Sequence, residues 1–293
     1  MEKYLRKKAI KSPWRFHKLP KRDNYKFIIA IPSFDEGELI IETLNSISSQ
    51  LNIDFSTILV IIVINNSENE NEEIIINNHK TFNAIKKNNF QYDIAIIDAF
   101  DSLPIPEKSA GVGMARKIGF DLGLPYGNSK SIFIALDADT LISPNYFSIL
   151  NEKFESEKID CLIPGIMHQK GDNELEEYAI REYENFLYST ANNLKNSGSP
   201  YGFVTMGSVM SFTFSCYTKA GGIPKKTATE DFYFLQEVVK TSSVRTIEDN
   251  LVFPSARHSS RVYLGTGFRI QQAYDGKMLN ELYYCDEAFN TLK

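Results

Sequence analysis

The sequence predicts an α/β fold, a mixed and mostly parallel central sheet flanked by helices. Two observations carry that prediction. Short β-branched apolar runs alternate with longer amphipathic ones between Lys26 and Asp139, as βαβ units around a buried parallel sheet require. One of these runs, Ser131–Leu136, ends directly in the acidic pair of Asp137-Ala138-Asp139, where open α/β sheets bind ligands.

The elements follow in order. Lys26–Pro32 reads as a first strand, stopped by its proline, and Glu36–Gln50 as a helix with Leu39, Ile40, Thr43, Leu44 and Ile47 at helical spacing. Thr57–Ile64 is a second strand, followed by the polar stretch Asn65–Glu73. Tyr92–Asp98 is a third strand, Lys108–Gly123 a helix that opens on glycines, and Ser131–Leu136 the fourth strand. Beyond it, Pro144–Glu157 is predicted helical and Asp160–Pro164 a short strand. Asn173–Asn196 is a long helix, Ser197–Gly207 a Gly/Ser/Pro-rich loop and Ser208–Phe214 a further strand. From Pro254 to the final Lys293 few periodic signals appear.

Composition narrows the function classes. The 293 residues are 43% hydrophobic and 24% charged, as in an ordinary soluble domain. A net charge of −5 gives no overall attraction to nucleic acid. Three dispersed cysteines, Cys161, Cys216 and Cys285, argue against a disulfide framework or a cysteine zinc site and suit a reducing, cytoplasmic compartment. No run approaches the ~18 apolar residues of a membrane span. The segment Met1–Lys26 holds ten Lys or Arg against two acids and lacks the apolar core of a signal peptide. Two readings stand for this segment: a solvated tail, or a peripheral contact with an anionic membrane surface at its inner face.

Two carboxylates one residue apart at the end of a buried strand repel each other, and desolvation adds to the cost. A divalent cation relieves both, and oxygen ligands suit Mg²⁺ or Mn²⁺. Otherwise one Asp caps a helix and the other is solvated. The letters DADT also partly fit the nucleophile motif of haloacid-dehalogenase-like phosphatases. Leu141 breaks that fit, and the downstream acidic pair has no clear counterpart.

Further segments, by their order, resemble motifs of family 2 glycosyltransferases. Ile31-Pro32-Ser33-Phe34-Asp35-Glu36 resembles their P-x-Y-N-E turn, and Asn65-Asn66-Ser67 follows the second strand where they usually carry a base-reading Asp. Gly111-Val112-Gly113-Met114-Ala115-Arg116-Lys117-Ile118-Gly119 is similar to their G-x-x-x-A-R-N-x-G helix. Thr229-Glu230-Asp231, well downstream of the acidic pair, resembles their E-D motif. Asn66, Asp35 and Lys117 depart from the pattern, and the Q-x-x-R-W motif of processive synthases is absent.

The resemblance covers residues 26–245 and implies a single GT-A (Rossmann-like) domain. It divides the chain into a basic extension (1–25), the GT-A domain (26–255) and a C-terminal lid or extension (256–293). Within the domain, 26–140 would bind nucleotide and 141–255 acceptor. It implies a metal-dependent, inverting transfer of sugar from a nucleotide-diphospho-sugar to a hydroxyl acceptor, whether glycan, lipid-linked or small molecule, as in polysaccharide biosynthesis. Pro32, Ser33, Phe34, Glu36, Asn66, Arg116 and Asp137 would bind the nucleotide. Asp139, with Asp137, would hold the metal, and Asp231 would be the base beside Glu230. His258, in the polar segment that follows Pro254, stands as a third metal ligand or a solvated histidine. Arg257 and Arg261 stand as grips on the leaving diphosphate or as surface charges. A retaining transferase, a nucleotidyltransferase and a non-catalytic sugar-nucleotide-binding module are the alternatives.

Overall fold

The computed structural model describes residues 2–258, 264–277 and 282–292. Among them, nine strands form one sheet in the order β1-β4-β3-β2-β5-β8-β7-β9-β6. The four predicted first-half strands are β2 (Phe27–Ser33), β3 (Ile58–Asn65), β4 (Asp93–Ala99) and β5 (Ile132–Ala135), all parallel to one another. β3, ILVIIVIN, is buried at every residue, which is why its apolar run never alternates. Next to β5 the short strand β8 (Ser211–Thr213) runs antiparallel and turns the second half of the sheet. β7 (Cys161–Ile166) pairs antiparallel with β8 and parallel with β9 (Val244–Phe253). β1 (Phe16–Lys18) and β6 (Leu141–Ile142) close the two edges antiparallel.

Helix α1 (Glu2–Lys7) opens the chain. The predicted helices are α2 (Ile40–Ser48), α4 (Val112–Gly123), α5 (Tyr146–Glu157) and α6 (Glu174–Asn196). α2 buries Ile40, Thr43, Leu44 and Ile47, the spacing the sequence showed, while Leu39 stays 46% exposed. α6 starts where Asn173 accepts hydrogen bonds from the backbone of Leu175 and Glu176 at 3.1 Å. Between β3 and β4 lies a helix that the polar reading of the region does not contain, α3 (Glu72–Lys87). Its buried face carries Asn78 and Thr81 beside Ala84 and Ile85, so hydrophobic periodicity gives it no signature. The segment predicted as strand through Phe214 ends at Thr213, whose hydroxyl caps helix α7 (Phe214–Ala220) by accepting from Cys216 N at 3.1 Å. Helices α8 (Glu230–Thr241) and α9 (Thr266–Tyr274) complete the set used below.

The N-terminal segment is not a solvated tail. Tyr4, Ile10 and Trp14 are buried in the main core, and Trp14 Nε1 donates to Leu103 O at 2.7 Å. The anchor is Asp121 on α4. Its carboxylate accepts from Tyr4 Oη at 2.6 Å, Ile10 N at 2.8 Å and Tyr217 Oη at 2.9 Å, and pairs with Lys117 Nζ at 2.9 Å. Lys117, a departure from the family pattern, therefore serves packing. Burial pulls its ammonium below the ordinary value, and Asp121 opposes that pull. Removing one member of a buried pair strands the other's charge. Asp121→Ala is expected to lose about 3–5 kcal/mol in urea unfolding. Deleting residues 1–10, which takes away two of the four partners of Asp121, is expected to lower the midpoint in the same assay.

Candidate active site

The carboxyl ends of β2, β3 and β5 open into a cleft of about 720 Å³, within the range of small-molecule sites. Its walls bring together Pro32, Phe34, Glu36, Asn66, Arg116, Asp137, Asp139, Glu230, Asp231 and Arg257. Ser33 is fully buried and lies outside that lining.

Arg116 is the hub. Arg116 is 2% exposed, and its guanidinium pairs with Asp137 at the end of β5 and Glu230 at the start of α8. Glycines make this convergence sterically feasible. A Cβ on Gly113 would stand 2.5 Å from Lys226 O and 2.8 Å from Glu230 Cβ, so any side chain there would push α4 off the 224–230 loop. A Cβ on Gly207 would overlap the guanidinium itself. The backbone is strained where the catalytic candidates begin: Thr229, a β-branched residue, has φ +63°, and Asp35 in the first turn has φ +59°.

Glu230 is buried and faces inward to Arg116, whereas its neighbour Asp231 faces the cleft. Burial pushes the Asp231 carboxyl above its ordinary range, with the Arg116 charge and the Phe232 amide pulling the other way. That environment suits a proton acceptor more than a permanent anion.

Asn66 sits in the lining, but its amide is occupied by the protein. Nδ2 donates to Ser67 O at 2.8 Å and Phe100 O at 3.2 Å, and Oδ1 accepts from Asn78 Nδ2 at 2.9 Å. Asn78 also accepts from Asp35 N at 3.0 Å. This buried residue of α3 thus clamps the loops after β2 and β3 together, and sequence reasoning missed it along with its helix.

Arg257 reaches into the cleft. Its Nε donates to Asp139 Oδ2 at 3.0 Å and its Nη2 to Glu36, so a guanidinium rather than a histidine faces the second Asp of the pair. The structure does not bring His258 to Asp139. The ring packs edge-on to Tyr274 at 5.9 Å between centroids, and Nδ1 lies 3.8 Å from Glu176 Oε1. Neighbouring residues in an extended segment point to opposite sides, and here Arg257 took the cleft. Among the described residues no cluster of three or more His, Cys, Asp or Glu side chains forms a metal cage. Arg261 lies outside the described residues. On α6, Tyr183 lines the cleft, Tyr188 is tied to Ile166 through backbone hydrogen bonds of 2.8 Å, and Tyr178 is exposed.

Comparison with known proteins bears on the fold and on the second half of the chain. Residues 132–255 match the family model described as Glycosyl transferase family group 2. The structure of S. aureus TarS 1–349 in complex with UDP-GlcNAc superimposes with a TM-score of 0.57 at 13% identity, covering 91% of this chain and 64% of that one. A further crystal structure of S. aureus TarS 1–349 gives 0.54 at 14% identity over 78% of this chain and 60% of that one. The chain therefore spans less than two thirds of the length of these structures. No curated protein matches it in sequence. The fold is of the GT-A class. Its second half, from β5 to the end of β9, carries the family 2-like sequence pattern.

Removing Arg257 takes a hydrogen-bonded counter-charge from two carboxylates, one of them buried. Arg257→Ala is expected to cost roughly 1–3 kcal/mol in urea unfolding at neutral pH. Below the range where carboxylates ionise, the difference from wild type should shrink.

Proposed function

We propose that the chain is an inverting glycosyltransferase that moves a sugar from a nucleotide-diphospho-sugar to an acceptor hydroxyl. The observation that carries this reading is the placement of Asp231. A carboxyl with a raised proton affinity, anchored through Glu230 and Arg116 to the strand-end pair, faces one cleft together with Asp137 and Asp139.

The nucleoside would rest on the turn after β2, against Pro32 and Phe34. Asp231 accepts the proton of the acceptor hydroxyl while that oxygen forms its bond to the anomeric carbon. The bond to the diphosphate oxygen breaks on the opposite face, its electron pair leaving with the nucleoside diphosphate. General-base assistance of this kind is worth about 10²–10⁴ in rate.

Charge balance supports a divalent cation, Mg²⁺ or Mn²⁺. The described lining carries the carboxylates of Glu36, Glu70, Asp137, Asp139, Glu230 and Asp231 against the guanidiniums of Arg116 and Arg257. A diphosphate entering that field is repelled unless positive charge comes with it. The hard carboxylate oxygens of Asp139 would hold such an ion, which suits oxygen ligands. When bound, it neutralises charge on the departing diphosphate. The acceptor class and a cytoplasmic or peripheral membrane setting belong to the same proposal. Among the described residues no helix is long and apolar enough to cross a membrane.

A melting screen of UDP, GDP, CDP and TDP sugars with and without Mn²⁺ tests the donor half. A shift that needs both nucleotide and metal is expected, and no shift with any of them would sink the reading. Asp231→Asn is expected to keep that shift and lose about 10²–10⁴ in turnover; unchanged turnover would remove Asp231 as the base.

The pH dependence follows from the direction of the Asp231 shift. The base works deprotonated, so the acidic limb of kcat/KM should lie above the ordinary carboxylate value of 3.8. For stability the sign is opposite. A carboxyl that binds its proton more tightly when folded contributes most below that ordinary value, and the contribution is lost as pH rises through the raised one. Asp231→Asn should therefore raise the melting temperature at neutral pH and lose that advantage in acid.

A further inference from the structure

Beside the cleft a second cavity of about 190 Å³ runs between α6, the loop at residues 201–205 and the start of α8. Phe186, Ala191, Leu194, Tyr201, Phe203 and Phe232 wall it, and no charged side chain among the described residues does. Thr205 and Phe232 line both this cavity and the cleft, and Phe232 directly follows Asp231. Whatever presents a hydroxyl to Asp231 therefore has this apolar space next to it.

We propose that the cavity binds a hydrocarbon chain carried by the acceptor, so that the substrate class is an acceptor on an alkyl or isoprenoid aglycone. This rests on the transferase reading above and deepens it. Three observations favour a chain. The space is large enough for one, since an apolar cavity of about 150 Å³ already takes up a benzene-sized molecule. Phe186, Thr190, Ala191 and Leu194 repeat along one face of α6, so this wall is about 12 Å long at 1.5 Å per residue, a groove more than a ring-shaped well. A sugar seated there would bury hydroxyls against walls that offer few partners, which is unfavourable. Phe232, 44% exposed, is the apolar surface such a chain would cover.

The experiment uses the full chain and four probes, ethyl, butyl, hexyl and octyl β-D-glucoside, each below its micellar concentration, with affinity read by calorimetry. The dissociation constant is expected to fall about fourfold per added methylene until the groove is full. Thr190→Trp, on the α6 wall, should flatten that slope while leaving the donor-induced melting shift intact. Gln236→Trp on the opposite wall, also a lining position, is the second variant should the first fail to fold. Affinity independent of chain length in the wild type, or a slope that survives a filled groove, would overturn the proposal. A chain-length slope in a protein that binds no sugar nucleotide keeps the groove and removes the transferase reading. A donor shift without a slope does the reverse.

Discussion

The buried Arg116 guanidinium is the constraint on which the site depends. It joins Asp137, at the end of β5, to Glu230, which lies far along the chain at the start of α8. A buried charge is tolerated only when its partners are fixed around it. Here each partner terminates a rigid element, and the neighbouring glycines leave no room for rearrangement. Because Glu230 turns inward to this hub, the next residue is delivered to the cleft. Asp231 owes its position to an ion pair in which it takes no direct part.

The same helix solves a second problem one residue later. Successive residues of an α-helix diverge by about 100°, so Arg116 and Lys117 face different surroundings. Arg116 meets the cleft. Lys117 meets Asp121 and the hydroxyl of Tyr4, which bonds to both of them. α4 therefore carries two buried charges, one tying together two carboxylates of the cleft wall and the other holding the N-terminal segment against the core. The sequence departure at Lys117 is explained by the second, for only a long cation reaches both Asp121 and Tyr4.

What was legible in the sequence follows from how each element is buried. Parallel strands with both faces covered read as uninterrupted apolar runs, so β2 to β5 were plain, and the acidic pair could be placed at a strand end from letters alone. α3 was hidden because its inner face presents Asn78 and Thr81, which serve hydrogen bonding between loops. β9 was hidden because most of its residues are exposed or half-buried and follow no strict alternation. The N-terminal anchors Tyr4, Ile10 and Trp14 fall at no regular spacing, and the lysines and arginines around them disguised them as a tail. Pairing across the site was illegible for a further reason. A loop holding both Arg257 and His258 does not say which of them turns toward Asp139. Likewise, an Asn after β3 does not reveal that its amide is already taken by Asn78.

The excess of carboxylates also explains the position of Arg257. Two unit charges about 4 Å apart interact by about 4 kcal/mol at the effective dielectric near a protein surface. Glu36 and Asp139 both pair with Arg257, so two like charges meet at one guanidinium and would repel without it. The Arg257 guanidinium fills that role from a segment anchored just behind β9, where its forked donors address two carboxylates at once. Under the proposed function, a sugar nucleotide arriving with a divalent cation would bring a positive partner for Asp139 and a negative partner for Arg257. A diphosphate arriving alone would offer Arg257 a negative partner and bring no positive charge toward Asp139, and the proposed metal dependence would rest on that asymmetry.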